Sequence, residues 1–327
     1  MNGEVAVGVV GVGAMGSHHA RVYNELPGAD LVGVADVDGS AARAVAGEYD
    51  TRVLDRERLL DRADAVSVAV PTELHAEVAT AAIARETAAL VEKPFVKDPD
   101  RGRAVEARAR DQGVTLQVGH VERFNPAVEA LQDILPEVDP FAVAARRQGP
   151  PVDRSSSDSA AMDLMIHDID ILLTVSDQPV QSVSAVSARG GQHVSAHLQF
   201  ESGLIGTLTA SRVTQEKIRD LAITAEDCQV EVDYLDRSVE IHRHSMPEFL
   251  VDDGDMRYRH ESIIERPTIQ NGEPLKAELG SFIDAVRTGA EPVVTAEDGI
   301  RAVETALRVE AAASEPEAPA QTGVQPQ

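Results

Sequence analysis

The sequence predicts an α/β fold in two parts: an N-terminal doubly wound parallel sheet, then an α+β unit built on a mostly antiparallel open sheet. Three observations predict it. Strands and helical segments alternate from Val5 to about Gly119, the pattern of a doubly wound sheet. After residue 120 that alternation stops, and two helical segments are followed by strands with no helix between them. A length of 327 residues suits two domains, each able to bury a core.

The first strand, Val5–Val10, is a run of β-branched and small residues with one charge before it, as expected for a strand buried on both faces. It breaks into Gly11, Gly13 and Gly16, and a helical pattern runs from Ala14 to Leu26. Each glycine has a task if the loop holds a dinucleotide. Gly11 permits the tight turn, Gly13 lets backbone approach a pyrophosphate, and Gly16 lets helix and strand pack closely. The phosphates would sit where Ala14 and Met15 open the helix, because free N–H groups and the helix dipole favour anions there. The second strand, Leu31–Val37, carries Asp36. An acid about 20 residues past the glycines is the expected partner of an adenosine ribose. A Rossmann site selecting NAD follows, since neither Val37 nor Gly39 offers a cation to a 2′-phosphate and Asp38 adds negative charge. The remaining strands are Ala65–Val70, Ala88–Val91 and Val114–Val118. Ligands gather past the strand ends of such a sheet, here at Pro71-Thr72, Glu92-Lys93-Pro94 and Gly119-His120.

The second part opens with helices over Phe124–Leu135 and Asp158–Val175. Strands follow at Val180–Ala188, His193–Phe200, Leu204–Ser211, Leu221–Thr224, Gln229–Leu235 and Ser238–His242, with a turn at Glu201-Ser202-Gly203. Helices Pro274–Thr288 and Ala296–Ala312 close the pattern. The expected division is therefore a nucleotide domain over 1–119, an α+β substrate and oligomerisation domain over 120–313, and a disordered tail over 314–327 rich in Pro, Glu, Ala and Gln. In His193–Phe200, His193, Ser195, His197 and Gln199 share one face, and Thr207 and Thr209 continue it in the next strand. Depletion of charge marks an interface core, so this face is expected to pair subunits into a homodimer or homotetramer.

Composition excludes some partners. The chain has 55 acidic against 30 basic residues, a net charge of −25, which repels nucleic acid and anionic membranes. Only Lys93, Lys97, Lys217 and Lys276 are lysines. An acidic, lysine-poor surface suits a halophilic cytoplasm, where salt screens self-repulsion, although a GC-rich genome gives the same bias. Cys228 is the one cysteine, so no disulfide framework or thiolate cluster exists. Without a signal peptide or a run of transmembrane length, the expected location is cytoplasmic.

Two places carry candidate chemistry. Lys93 follows a buried strand and is flanked by Glu92 and Pro94. A lysine beside an oxidised nicotinamide can exchange protons at working pH; paired with Glu92 it would be an ordinary surface lysine. Asp163 and His167 are four apart on an apolar helix, with Asp168 and Asp170 extending an acidic rim. A carboxylate beside an imidazole can orient it for acid–base work. Taken alone, the pair fits a helix-terminal acid and a satisfied core histidine better. No second His/Cys cluster stands at ligand spacing, so no metal is expected.

These segments also carry a resemblance. Gly11-Val-Gly-Ala-Met-Gly16 with His19-Ala20-Arg21, Val70-Pro71-Thr72 with His75, Glu92-Lys93-Pro94, and Asp163-x-x-x-His167 resemble, in order over roughly residues 5 to 312, the Gfo/Idh/MocA oxidoreductases. The resemblance implies that Lys93 and His167 are the acid–base residues and that Asp163 binds or polarises the substrate hydroxyl. It also implies that Pro71, Thr72 and His75 line the nicotinamide side, with Glu92 belonging to the same cofactor segment. A narrower resemblance rests on Gly119-His-Val-Glu-Arg-Phe-Asn-Pro-Ala127 and Met162-Asp-Leu-Met-Ile-His-Asp-Ile-Asp170, which are similar to the UDP-N-acetylglucosamine 3-dehydrogenases and related uronate enzymes. It implies oxidation of a sugar C3 hydroxyl, with His120, Arg123 and Asn125 among the substrate contacts. By charge alone Arg123, Arg146, Arg147 and Arg212 are candidate diphosphate partners, and each fits a surface arginine as well. The alternatives are an inositol or free-aldose dehydrogenase and, from another class, a dinucleotide-binding sensor with a dead site.

Overall fold

The computed structural model describes residues 3–151, 158–244, 248–252, 255–259 and 261–314. The first unit runs β1 (Val5–Val10), α1 (Ala14–Glu25), β2 (Ala29–Ala35), α2 (Gly39–Glu48), α3 (Arg56–Leu60), β3 (Ala65–Val68), α4 (His75–Ile83), β4 (Ala88–Glu92), α5 (Pro99–Gln112) and β5 (Leu116–Gly119). All five strands are parallel, in the order β2-β1-β3-β4-β5. The chain therefore winds outward in both directions from β1 and β3. Their C-terminal ends form the crevice that ligands use in this topology. Both faces are covered, so the strands are nearly continuous in apolar residues, as a doubly wound sheet requires.

The second unit runs α6 (Pro126–Ile134), β6 (Pro140–Gln148), a π-helical turn over Ala161–Met165 that continues into α7 (Ile166–Ser176), then β7 (Val180–Ala188), β8 (His193–Phe200), β9 (Ile205–Ser211), β10 (Ile218–Ala225), β11 (Cys228–Asp233) and β12 (Ser238–His244). A two-stranded pair, β13 (Glu248–Asp252) with β14 (Asp255–Arg259), precedes β15 (Ser262–Glu265). Eight strands form one sheet, β15-β12-β11-β10-β6-β9-β8-β7, antiparallel except for β6 beside β9. One face packs on α6, α7 and α9 (Ala296–Ala313) around Leu131, Ile169, Leu172, Phe200 and Val303. The opposite face is exposed or partly exposed among the described residues of β7, β8 and β11.

Three features depart from the sequence expectations. β6 was not anticipated, although it lies mid-sheet. Its inward positions are Val143, Ala145 and Arg147, and a charge turned inward breaks the alternation that identifies a strand. β13, β14 and β15 were likewise not anticipated. The third departure is α8 (Pro274–Thr288), which follows the second unit in sequence but packs on the first. Leu275, Leu279, Phe282 and Ile283 share a core with Val5, Val7, Val9 and Tyr23. The helix thus packs with the first unit, although it follows the expected boundary at residue 119 in sequence. Ser314 caps α9, and the rest of the expected tail lies outside the described residues. No helix among the described residues is long and apolar enough to cross a membrane.

Candidate active site

The glycine loop has the shape a pyrophosphate needs. Gly11 has φ +88°, and a Cβ there would lie 2.6 Å from the Ala69 carbonyl oxygen. A Cβ on Gly16 would stand 1.8 Å from the Gly11 carbonyl oxygen, which fixes α1 against β1. Gly13 instead faces open space and begins α1 with no side-chain cap. The first N–H groups of α1 are therefore left for an anion, with Ala14 and Met15 exposed beside them. Asp36 lies just past β2, and its two carboxylate oxygens accept from the Val12 N–H at 2.6 Å and the Asp38 N–H at 2.7 Å. These bonds pin the acid at the rim of a cavity of about 660 Å³ lined by Gly11, Gly13, Asp36, Val37, Val70 and Pro71 among others. The volume, the helix terminus without a side-chain cap and the acid fit an adenine dinucleotide.

Other residues expected at the cofactor do not reach this cavity. Thr72 lines a separate cleft of about 120 Å³ with Val96 and Lys97. His75 is 1% exposed, and its ring nitrogens meet the carbonyls of Pro94 at 3.0 Å and Val70 at 2.8 Å. Burial outweighs these carbonyls and lowers its pKa, so the neutral ring can donate to one of them. It ties the Lys93-Pro94 turn to the end of β3. Glu92 also turns inward, toward His19 at 2.9 Å. The side chains of His75 and Glu92 are thus engaged with partners within the first unit.

Lys93 leaves β4 and crosses to the second unit. Its Nζ donates to the Asp163 carbonyl at 2.7 Å and to Asp163 Oδ1 at 3.0 Å. Asp163 sits in the π-helical turn, a feature frequent at functional sites, and its Oδ2 accepts from Arg212 at 3.0 Å. The carboxylate expected to orient His167 is thus engaged by two cations. His167 is half-buried, with its Nδ1 buried and unpartnered among the described residues. Burial, then the charges of Lys93, Arg147, His120 and Arg219, hold its pKa well below the ordinary value. Such an imidazole is neutral, the form in which a ring nitrogen can act as a proton acceptor. His120, at the end of β5, is 1% exposed, and neither ring nitrogen has a hydrogen-bond partner among the described residues.

Two residues expected at the substrate are tied into the fold. Arg123 is buried in a bidentate pair with Asp170, at 2.7 Å for both bonds. Asn125 caps α6 by accepting from the Ala127 N–H, while its amide donates to Glu122 and to the Tyr234 carbonyl. Their polar groups are occupied within the fold. Asp168 is no exposed rim either: it pairs bidentately with Arg147, which also reaches Glu122 at 2.6 Å. Among the four arginines considered for a diphosphate, Arg146 pairs with Asp220 on the open sheet, and Arg212 alone touches the site. No local signal marks it, because it reaches Asp163 from 49 positions along the chain.

Residues 5–120 match the oxidoreductase family with an NAD-binding Rossmann fold, and residues 139–232 match the GFO/IDH/MocA C-terminal domain. The chain belongs to the Gfo/Idh/MocA oxidoreductases. As a member of that family it is an NAD-dependent oxidoreductase acting on CH–OH groups. It is 30% identical to the UDP-N-acetylglucosamine 3-dehydrogenase of Acidithiobacillus ferrooxidans over 94% of this chain and 97% of that protein. It is also 30% identical to the inositol 2-dehydrogenase of Rhizobium meliloti, over 91% and 94%. A solved structure of the Acidithiobacillus enzyme superposes with a TM-score of 0.87 at 29% identity, covering 94% of this chain and 97% of that one.

Proposed function

We propose that this oxidoreductase oxidises the C3 hydroxyl of a UDP-linked N-acetylated sugar, UDP-N-acetylglucosamine or its uronate. The observation that carries the reading is Lys93 spanning from the cofactor edge to Asp163 at 3.0 Å, with a neutral His167 beside them. NAD, when bound, supplies the acceptor for the hydride of the carbinol carbon. Lys93 and Asp163 hold the hydroxyl, Lys93 as the cationic donor, and the neutral His167 takes its proton as the carbonyl forms. A dinucleotide sensor has no use for these proton-handling groups. The nucleotide-sugar reading is supported by Gly119–Ala127 and Met162–Asp170, and by the similarity to the Acidithiobacillus enzyme over nearly the full length of both chains. Similarity of the same degree to an inositol dehydrogenase supports the second reading, a cyclic polyol substrate.

The test is NADH formation, followed by absorbance in molar salt, with UDP-N-acetylglucosamine, its uronate, myo-inositol and glucose. The nucleotide sugars should give the highest kcat/KM. A clearly higher value for myo-inositol or glucose would replace the reading by the second one.

A further inference from the structure

Beneath the acid–base lysine, on the α1 and α8 side of the sheet, lies a buried polar chain that the reaction scheme leaves unused. His19 of α1 is 0% exposed. Its Nε2 lies 2.9 Å from Glu92 Oε1, and its Nδ1 lies 2.9 Å from Ser67 Oγ. Ser67 Oγ is in turn 2.8 Å from the Tyr23 hydroxyl. The second oxygen of Glu92 accepts the backbone N–H of Lys93 at 3.2 Å.

We propose that His19 is a positioning residue for Lys93: it holds the Glu92 carboxylate from below, and that carboxylate holds the backbone of the acid–base lysine. This rests on the role given to Lys93 above. One proton arrangement satisfies the whole chain. Tyr23 donates to Ser67, Ser67 donates to His19 Nδ1, and His19 Nε2–H donates to Glu92. Every polar atom then has a partner, as burial demands. Burial pushes Glu92 toward the neutral form, but the His19 hydrogen bond and the nearby Lys93 outweigh it and keep the carboxyl below its usual range. Glu278 of α8, also 0% exposed, raises the pKa of Tyr23, and is itself driven well above the usual range by burial first and then by the charge of Glu92. The charge of Glu92 also acts to raise His75, against the larger effect of burial. Glu92 is therefore the ionised acid of the group, and His19 is its hydrogen-bond donor among the side chains. Helix α1 also presents an N-terminus at Gly13 with no side-chain cap, so a single helix sets both the phosphate site and the turn that aims Lys93.

The test compares His19→Ala, His19→Gln and Glu92→Gln, using any alcohol that the unmodified enzyme turns over, so an error in the sugar assignment does not touch it. His19→Ala should lower kcat by about tenfold to a hundredfold, the scale of a misplaced catalytic group. It should also move the pH profile of kcat, because Glu92 then binds a proton more readily, while NAD affinity by fluorescence changes little. His19→Gln keeps a donor toward Glu92 and should recover much of the loss. The double variant His19→Ala/Glu92→Gln should be no worse than the poorer single one, since both act through one contact. Unchanged kcat and pH profile in His19→Ala, or additive losses in the double variant, would overturn the proposal. So would a loss of NAD affinity in step with kcat. Should His19→Ala fail to fold, the comparison of His19→Gln with Glu92→Gln decides: equal, large losses overturn the proposal, and a loss confined to Glu92→Gln supports it.

Discussion

At the scale of single residues, the site joins a lysine at a strand end to groups on a helix of another unit, and the consequences are local. Lys93→Met and His167→Ala should each lower kcat by about a hundredfold or more, the range for acid–base groups, with NAD binding nearly unchanged. Stopped-flow turnover and fluorescence titration measure the two quantities. Near-normal turnover in both variants would remove them from the mechanism. Asp36 carries the second prediction. Fixed by Val12 and Asp38, its carboxylate would meet a 2′-phosphate at a few ångströms. Two unit charges about 4 Å apart repel by roughly 1 kcal/mol in water and about 4 at the effective dielectric of a protein surface, and salt screens part of this. Arg56 also lines the cavity, but its charge is offset by Glu77 at 2.8 Å and Glu57 at 3.3 Å. The expected preference for NAD over NADP is about tenfold to a thousandfold, at 1.4 kcal/mol per factor of ten. Asp36→Ser with Val37→Arg should narrow or reverse it in kcat/KM. Equal values for the two cofactors in the unmodified enzyme would take Asp36 off the ribose.

At the scale of elements, paired charges fasten the second unit around its site. Arg147 on β6 and Arg123 before α6 clamp Asp168 and Asp170 on α7, and so hold the helix that carries His167. Arg147 also lies over the Tyr234 ring, 5.3 Å from its centroid. Removing one partner of a buried pair leaves an uncompensated charge, at a cost of about 3–5 kcal/mol. Arg123→Met should therefore lower the melting temperature strongly and reduce activity to a similar extent with every substrate. Calorimetry together with KM for two substrates checks this. A selective rise in KM for a nucleotide sugar, with the melting temperature unchanged, would instead make Arg123 a substrate contact.

At the scale of the whole molecule, the open face of the eight-stranded sheet divides in two. Across β7, β8 and β9 it carries Ser182, Ser184, His197 and Thr207, with cross-strand contacts from Ser195 to Thr209 at 3.4 Å and from His197 to Thr207 at 3.2 Å. Val186 and Ile205 stand 70% and 50% exposed on it. Toward β11 and β12 the face turns acidic, with Glu231 opposite Glu240. In a chain of net charge −25, an uncharged area bearing exposed aliphatics has the composition of an interface core. We propose that a second copy covers it, in a homodimer or homotetramer. Light scattering in molar salt should give a multiple of the 34.9 kDa chain, and Thr207→Arg with Thr209→Arg should shift it toward the monomer. A monomeric mass for the unmodified protein would exclude the pairing.

What the sequence determined by itself was whatever depends on short-range pattern. Gly11, Gly13 and Gly16 announced a strand–turn–helix by their spacing: Gly11 takes a positive φ at the turn, and Gly16 packs against the Gly11 carbonyl five residues back. The alternation of strands and helices likewise implied a doubly wound sheet, and His193–Phe200 displayed its two faces by strict period. Tertiary structure alone decided how distant charges were shared. Asp163 was paired in sequence with His167, yet its carboxylate went to Lys93 and Arg212 from two other elements. Arg123, Asn125, Asp168 and Asp170 looked like free polar groups near a site and became internal ties. β6 escaped notice because Arg147 points into the core, where only its partners on α7 and at Glu122 make burial tolerable. Nor could linear order reveal that α8 returns to the first unit, since an apolar helix face shows that it will be buried but not against what. Steric rules act between neighbours and are written in the chain. A charge is satisfied by whichever opposite charge folding brings near, and that is a property of the packed molecule.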